Sequence, residues 1–225
     1  MRVIAIIPAY NEEGRVKTAA QDAARFVDGV VVVDDCSRDR TGEMASAAGA
    51  HVLRHRINRG QGAALQTGTR YALDHLGADA IVHFDADGQM QGEEIPKLLE
   101  PILTNRADVV LGTRFGGGSK TKMPLIRRVT LFGGLLFTYL ISGIRVSDTH
   151  NGFRALSREA ASELTISLDR MAHASEILDM IRAKKLRYVE RPVTIQYTDE
   201  TLAKGQSSMN SVRIVADILK GKFWN

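Results

Sequence analysis

Short apolar runs alternate with segments of helical periodicity through the first half of the chain, and this alternation constrains the fold more than any other feature. The apolar runs are rich in β-branched residues, and each is short enough to be a single strand. Strands are therefore expected at Val3–Ile7, Val30–Val33, His51–Leu53, Ala80–Phe84 and Val109–Leu111. Helices are expected between them, at Glu12–Phe26, Thr41–Ala48, Ala63–Leu76 and Glu94–Leu103. This order is typical of the α/β class, in which helices cover a mostly parallel sheet.

The second half of the chain is less regular. Helices are expected at Arg127–Ile141, Ser157–Leu164, Ala172–Lys184 and Ser208–Lys220. One further strand is expected at Arg187–Ile195, interrupted by Pro192. No internal repeat and no low-complexity linker divides the 225 residues, so a single domain is the better interpretation.

The composition excludes several classes of protein. Apolar residues make up 44% of the chain and charged residues 25%, which excludes a disordered or fibrous chain. A single cysteine, Cys36, excludes an intrachain disulfide and argues against a cysteine-based zinc site. The N-terminal apolar run is too short for a signal peptide, and the 16-residue stretch 129–144 is too short to span a bilayer. We therefore expect a cytoplasmic protein.

Two carboxylates follow the fourth expected strand. Asp85 and Asp87 are two residues apart, and in an extended segment such side chains point the same way. Gln89 comes two residues later. Oxygen ligands of this kind suit a hard divalent cation, Mg²⁺ or Mn²⁺. The alternative is a solvated acidic turn at Gly88.

The first two expected strands also end in polar loops. Asp34 and Asp35 are adjacent carboxylates that repel each other, so their placement needs a reason. One of them can cap the next helix, and the other can accept a hydrogen bond from a nucleobase N–H. In the first loop, Asn11 can act as a helix N-cap, and Tyr10 can stack on a base.

Five segments with recognisable motifs follow one another along the chain: residues 8–13, 33–41, 58–64, 85–89 and 112–115. Together with residues 148–154, they resemble the motifs of family 2 glycosyltransferases of the GT-A fold. Within that family the chain is most similar to dolichyl- and polyprenyl-phosphate sugar synthases. The resemblance runs from about residue 3 to residue 210.

The resemblance implies an inverting transfer from a nucleotide-diphosphate sugar of the GDP-mannose or UDP-glucose type. It implies donor-binding roles for Pro8, Tyr10, Glu12, Asp34, Asp35, Gly60, Gln61, Asp85, Ala86 and Lys204. It implies that the metal is held by Asp85, Asp87 and Gln89. The candidate catalytic residues are Asp87, Asp148, Arg114 and Arg128. Residues 1–113 are then the donor and metal half of one domain, and residues 114–225 are the acceptor half with a C-terminal helix.

The sequence between Asp108 and Asp148 contains no acidic residue. Its charge of +6 exceeds the net +4 of the whole chain and comes from Arg114, Lys120, Lys122, Arg127, Arg128 and Arg145. Large apolar residues are interleaved with these, which is typical of a segment at an anionic membrane surface. The alternative is an ordinary core helix after a solvated basic loop. The last expected helix is equally compatible with a membrane contact or a homodimer, and no nucleic-acid partner is expected.

The acceptor decides the mechanism. Arg114 and Arg128 match positions that contact the lipid phosphate in the resembling synthases, although Phe132 replaces a serine of that pattern. A phosphate monoester is largely dianionic at neutral pH and needs no strong base. A saccharide or small-molecule hydroxyl needs a carboxylate base, for which Asp148 is the candidate. A sugar nucleotidyltransferase is a weaker alternative, because no glycine-rich loop follows the first strand.

Overall fold

The computed structural model describes residues 1–115, 144–149, 151–166 and 173–196. Its strands are β1 Val3–Ala9, β2 Gly29–Asp34, β3 His51–Arg54, β4 Ala80–His83, β5 Val109–Thr113, β6 Arg154–Ser157 and β7 Tyr188–Pro192. Its helices are α1 Val16–Ala24, α2 Thr41–Ser46, α3 Gln61–His75, α4 Ile95–Leu103, α5 Arg158–Glu163 and α6 His173–Ala183. A short 3₁₀ turn, Gly92–Glu94, precedes α4. The expected helix at 127–141 and the one at 208–220 lie outside the described residues.

The seven strands of the described ranges form one mixed sheet in the order β3-β2-β1-β4-β6-β5-β7. The pairs β3–β2, β2–β1 and β1–β4 are parallel, as expected for the α/β class. β6 runs antiparallel to both β4 and β5, and β5 pairs with β7 in parallel. The carboxyl ends of β1, β2 and β4 therefore meet at one edge, where ligands bind in open sheets.

Helices cover both faces of the sheet, which explains the near-continuous apolar strands. Alternate residues of β1 face opposite layers, so Ala5 and Ile7 join one buried cluster and Ile4 and Ile6 join the other. The first cluster includes residues of α1 and α4, and the second includes residues of α3, α5 and α6. The loops at the carboxyl edge are therefore supported by a sheet that is packed on both faces.

Three features differ in detail from the sequence expectation. Helix α1 begins at Val16 instead of at Glu12. Strand β7 ends at Pro192 instead of continuing to 195. Strand β6 was not expected at all. By contrast, α5 follows the prediction closely, and Ser157 caps it by accepting from the Ala160 N–H at 3.1 Å. No helix in the described ranges combines the length and apolar character needed to cross a membrane.

Candidate active site

Hydrogen bonds join the loops that follow β1 and β2. Thr41 Oγ1 accepts from the Glu12 N–H at 2.8 Å, and Ser37 Oγ accepts from the Asn11 N–H at 3.0 Å. In the other direction, the Arg38 N–H donates to Asn11 Oδ1 at 2.9 Å. Asn11 has a φ of +54°, outside the helical region, so the interpretation of Asn11 as a helix N-cap is wrong. Its side chain instead fixes the neighbouring loop.

Asp85 and Asp87 are both partly buried in the loop after β4. Gln61 Nε2 donates to Asp85 Oδ1 at 2.8 Å, and the Gln89 N–H donates to Asp87 Oδ1 at 2.9 Å. Burial, followed by the neighbouring charge of Asp87, raises the pKa of Asp85 to about 7. Burial also raises the pKa of Asp87, against the opposing effects of the Gln89 N–H bond and the charge of Arg15.

These two carboxylates fit a divalent cation. Burial and mutual repulsion make their negative charges costly, and a bound cation offsets that cost. Across residues 1–115 and the other described ranges, no group of three or more His, Cys, Asp and Glu side chains could hold a metal. The other ligands would therefore be amide, water or phosphate oxygens, the usual surroundings of Mg²⁺. Gln89 remains a proposed ligand on this basis.

Arg15 lies just before α1, is bonded to Glu12 of the first loop and carries a charge that acts on Asp87 in the loop after β4. Its Nε donates to Glu12 Oε2 at 2.7 Å, and its Nη2 lies 2.5 Å from the same oxygen. Tyr10, next to this loop, is 44% exposed and is free of the packing that would prevent it from stacking on a base.

Gly152 and Arg154 lie behind the carboxylate pair. A Cβ atom on Gly152 would lie 2.8 Å from Asp85 Oδ2, so a larger residue would displace this carboxylate. Arg154 is 3% exposed, and its Nη1 has no hydrogen-bond partner among the described residues. Burial lowers the pKa of Arg154 to about 10, against the favourable charges of Asp85 and Asp148. Arg154 is therefore a buried counter-charge for Asp85 and Asp148.

Asp34 shapes the turn after β2. Its side chain is fully buried, its Oδ1 accepts from the Ser37 N–H at 2.8 Å, and its Oδ2 lies 3.5 Å from Arg54 Nε. The alternative in which Asp34 or Asp35 caps α2 is wrong, because Arg40 holds the N-cap position and no side-chain cap bond forms there.

Asp35 fastens the segment after β3 to the loop after β2. His55 Nδ1 lies 2.7 Å from Asp35 Oδ1, and the Arg59 N–H donates to the same oxygen at 2.9 Å. The Gly60 N–H donates to Asp35 Oδ2 at 2.6 Å. A carboxylate offers about four acceptor positions, so three intrachain donors leave about one for a nucleobase N–H.

Asp148 and Arg114 form a buried ion pair. Arg114 donates from Nε to Asp148 Oδ2 at 2.7 Å and from Nη2 to Oδ1 at 2.6 Å, and its backbone N–H donates to Oδ2 at 3.0 Å. The two side chains are 1% and 9% exposed, Asp148 being the more buried. Both carboxylate oxygens are thus committed to the guanidinium, a geometry suited to positioning an arginine.

Comparison with known proteins identifies the family to which this chain belongs. The family model of glycosyl transferase family 2 matches residues 4–165. The chain belongs to this family. The resemblance inferred from the ordered motifs is therefore confirmed, and the chain is a glycosyltransferase.

Two named relatives of this glycosyltransferase match over most of their length. It is 32% identical to UDP-N-acetylglucosamine–dolichyl-phosphate N-acetylglucosaminyltransferase of Methanococcus voltae, over 95% of this chain and 93% of the relative. It is 33% identical to undecaprenyl-phosphate mannosyltransferase of Micrococcus luteus, over 86% of this chain and 83% of the relative.

A solved structure confirms the fold. Glucosyl-3-phosphoglycerate synthase of Mycobacterium tuberculosis, in complex with Mn²⁺ and UDP-glucose, matches with a TM-score of 0.71 at 20% identity. The match covers 97% of this glycosyltransferase and 76% of the synthase. This likeness shows the GT-A fold that the sequence resemblance implied.

The structure brings most of the expected site residues of this glycosyltransferase to one edge of the sheet. Pro8 lies in β1 just before the first loop, and Ala86 is buried between the two carboxylates. Gly60 and Gln61 begin α3 and contact Asp35 and Asp85 respectively. The remaining expected residues, Arg128 and Lys204, lie outside the described residues, as does most of the basic stretch.

Sequence reasoning missed Arg15 and His55, and it gave Arg154 no place among the site residues although Arg154 ends the 148–154 motif. Arg154 left a signal, because it is a lone charged residue in the apolar run 153–156. His55 left a signal as well, because it follows the third strand just as the other polar site residues follow strands. Arg15 left no signal, since a basic residue near a helix start is common on protein surfaces.

Proposed function

We propose that this glycosyltransferase transfers a sugar from a nucleotide-diphosphate sugar to a polyprenyl phosphate, with inversion and with a divalent cation. The observation that carries the proposal is the partly buried pair Asp85 and Asp87 at the carboxyl end of β4. Two relatives, named for transfer to dolichyl phosphate and to undecaprenyl phosphate, support the acceptor. The Mn²⁺ and UDP-glucose in the neighbouring structure support the donor class.

In the proposed reaction, the bond from the anomeric carbon to the donor phosphate oxygen breaks as a bond to the acceptor phosphate oxygen forms. The bonding electrons leave with the nucleoside diphosphate, which gains negative charge. Asp85, Asp87 and Gln89 would hold the cation, which when bound stabilises that charge. Pro8, Tyr10, Glu12 and Asp35 would line the nucleobase and ribose pocket, and Lys204 would meet the donor phosphates.

The protein's task with a phosphate acceptor is mainly one of positioning. A phosphate monoester is already ionised at neutral pH, so attack needs no strong base. Arg114 and Arg128 would hold the acceptor phosphate through forked hydrogen bonds. Asp148 supports this assignment, because its two bonds to the Arg114 guanidinium hold that side chain in one orientation. A hydroxyl acceptor would need Asp148 as a base, yet this side chain is 1% exposed and doubly bonded to Arg114.

The proposal includes a peripheral contact between the basic stretch and an anionic membrane. A polyprenyl acceptor resides in a bilayer, and the acid-free sequence from 109 to 147 carries five basic residues besides the buried Arg114. Positive charge near an anionic surface contributes about 1 kcal/mol per basic residue. Co-sedimentation with anionic vesicles at low salt tests this contact, and equal recovery with neutral vesicles contradicts it.

The acceptor is tested by transfer of a radiolabelled sugar into the organic phase. UDP- and GDP-sugars are each incubated with Mn²⁺ and either a polyprenyl phosphate or the matching polyprenol. We expect a labelled lipid product with the phosphate and none with the alcohol. Transfer to the alcohol, or to neither lipid while a saccharide is glycosylated, contradicts the proposal.

An Asp148→Asn variant separates the two acceptor chemistries. If Asp148 only orients Arg114, the KM for polyprenyl phosphate rises and the pH profile of kcat keeps its shape. If Asp148 were the base, kcat would fall by about 100-fold or more and the acidic limb of the profile, where the carboxylate becomes protonated, would disappear.

A further inference from the structure

The segment from His55 to Gln61 spans the distance between two carboxylates with different expected roles. Asp35 belongs to the loop after β2, on the nucleobase side of the site. Asp85 belongs to the loop after β4, on the metal side. One end of the segment is bonded to Asp35, and the other end is bonded to Asp85.

The Asp35 end is held by several short bonds. His55 Nδ1 lies 2.7 Å from Asp35 Oδ1, and the Gly60 N–H donates to Asp35 Oδ2 at 2.6 Å. A neutral His55 ring that donates from Nδ1 accepts at Nε2, where Thr67 Oγ1 of α3 lies 3.0 Å away. The Asp35 and His55 side chains are 4% and 12% exposed. Buried bonds of this kind are stronger than exposed ones and hold the loop in one geometry.

The Asp85 end consists of one side-chain bond. Gly60 is the N-cap residue of α3, with a φ of +86°, a conformation that glycine adopts without strain. Gln61 is the first residue of the helix, and its Nε2 donates to Asp85 Oδ1 at 2.8 Å. Only one peptide bond separates the group bonded to Asp35 from the residue bonded to Asp85. A displacement of Gly60 must therefore move Gln61 as well.

We propose that residues 55–61 act as a strap that couples the nucleobase side of the site to the metal side. Asp35 fixes the strap through His55 and Gly60, and Gln61 transmits that position to the Asp85 carboxylate. Gln61 and His55 are positioning residues in this proposal, because they orient a metal ligand without replacing it. Partners of this kind typically change metal affinity by about 10- to 100-fold when they are lost.

The coupling has a direct consequence for metal binding. His55 makes its bonds on the nucleobase side, yet its removal should loosen the strap and misorient Asp85 through Gln61. By the reciprocity of linked equilibria, metal binding should in turn favour the geometry in which Asp35 presents its remaining acceptor position. The inference rests on the metal site of the proposed function, but not on the identity of the acceptor.

The test is the affinity for Mn²⁺ alone, measured from the free Mn²⁺ signal in electron paramagnetic resonance. We expect His55→Ala to weaken Mn²⁺ binding by at least about threefold and Gln61→Met to weaken it by about 10-fold. His55→Asn should restore most of the affinity, because the asparagine amide can replace Nδ1 as the donor to Asp35. His75→Ala, at the exposed C-terminal end of α3, is the matched control and should bind Mn²⁺ like the wild type.

A double-mutant cycle tests the route. If the strap acts through Gln61, His55→Ala should add little to the loss already caused by Gln61→Met. If thermal unfolding shows that His55→Ala is not folded, Thr67→Val takes its place. This variant removes only the hydrogen bond between His55 Nε2 and Thr67 Oγ1.

Three results would overturn the inference. The first is wild-type Mn²⁺ affinity in folded His55→Ala or, in its place, Thr67→Val. The second is that His55→Ala weakens Mn²⁺ binding by the same factor in the Gln61→Met background as in the wild type, which would mean that the coupling does not pass through Gln61. The third is no Mn²⁺ binding by the wild type, which would remove the metal site and the coupling together. Failure of the lipid transfer assay with normal Mn²⁺ binding would instead contradict only the proposed acceptor.

Discussion

At the scale of single residues, the site depends on one position where a side chain would not fit. Gly152 lies two residues before β6, and a Cβ atom there would lie 2.8 Å from Asp85 Oδ2 and 3.3 Å from Met90 Cε. The nearer of these two atoms, Asp85 Oδ2, is the end of a flexible side chain. The chain can therefore accommodate a methyl group at this position only by moving the proposed metal ligand.

We predict that Gly152→Ala weakens Mn²⁺ binding by about 10-fold or more while the protein remains folded. The displaced carboxylate can no longer share a cation with Asp87 in the same geometry. Mn²⁺ titration followed by electron paramagnetic resonance measures the effect, and thermal unfolding checks the fold. Gly14→Ala is the matched control, because a Cβ atom there meets nothing within 4 Å. Unchanged Mn²⁺ affinity in Gly152→Ala would contradict the assignment of Asp85 as a ligand.

The sequence was sufficient to find the carboxylates but not the residues behind them. Asp85 and Asp87 were predictable as a polar pair just after a strand, although β4 ends at His83 and residues 86–87 form a turn, so the expected extended spacing does not set their directions. The pairing of Asp148 with Arg114 was not, because the two residues are 34 positions apart and meet only in the folded chain. The need for glycine at position 152 was not predictable either, because the Asp85 carboxylate that leaves no room for a side chain there is far away in sequence.

At the scale of elements, the parallel half of the sheet was predictable and the antiparallel strand was not. Strands β1 to β5 are apolar runs bounded by polar loops, which is the pattern that identifies strands. β6 overlaps the apolar run 153–156, but its first residue is the charged Arg154, which interrupts the pattern expected of a buried strand. Its position is determined by β4 and β5, which it joins by antiparallel pairing.

The edge strand β7 is attached to the sheet partly through one ion pair. Asp108, just before β5, accepts from the Arg187 N–H at 2.8 Å and from Arg187 Nη2 at 2.6 Å. Arg187 also donates to the carbonyl oxygen of Asn105 at 2.9 Å. The Arg187 side-chain hydrogen bond is the main cause that lowers the pKa of Asp108, and partial burial opposes it.

We predict that Asp108→Asn lowers the melting temperature by about 1 to 3 °C at neutral pH, because the pair is partly exposed and screened by solvent. The folded-state pKa of Asp108 lies below its unfolded value of about 3.9, so the stabilisation is present above about pH 4. It is lost as the pH falls through the folded-state pKa. The difference in melting temperature between the wild type and the variant should therefore shrink on acidification.

Thermal unfolding from pH 7 to pH 3 measures this effect. Asp74→Asn, at an exposed position of α3, is the control and should change the melting temperature little at any pH. A difference between wild type and Asp108→Asn that grows on acidification would contradict the role of the ion pair.

At the scale of the whole molecule, the sequence contains two regions of opposite charge. The carboxyl edge of the sheet carries Asp34, Asp35, Asp85 and Asp87, whereas the sequence between Asp108 and Asp148 carries only positive charge. A cation bound by the carboxylates would receive the donor diphosphate, and the basic residues suit a second phosphate. The proposed reaction, which exchanges one phosphate oxygen for another at a sugar carbon, requires this combination.

The central claim is that Asp85 and Asp87 hold a divalent cation on which sugar transfer depends. The most direct measurement is the release of nucleoside diphosphate by metal-stripped enzyme in the presence of polyprenyl phosphate, before and after addition of Mn²⁺ or Mg²⁺. We predict that turnover appears only with the metal and falls by at least about 100-fold in Asp87→Asn. It should be unchanged in Glu93→Ala, an exposed acidic residue nearby. Full turnover by the stripped enzyme, or by Asp87→Asn, would contradict the account.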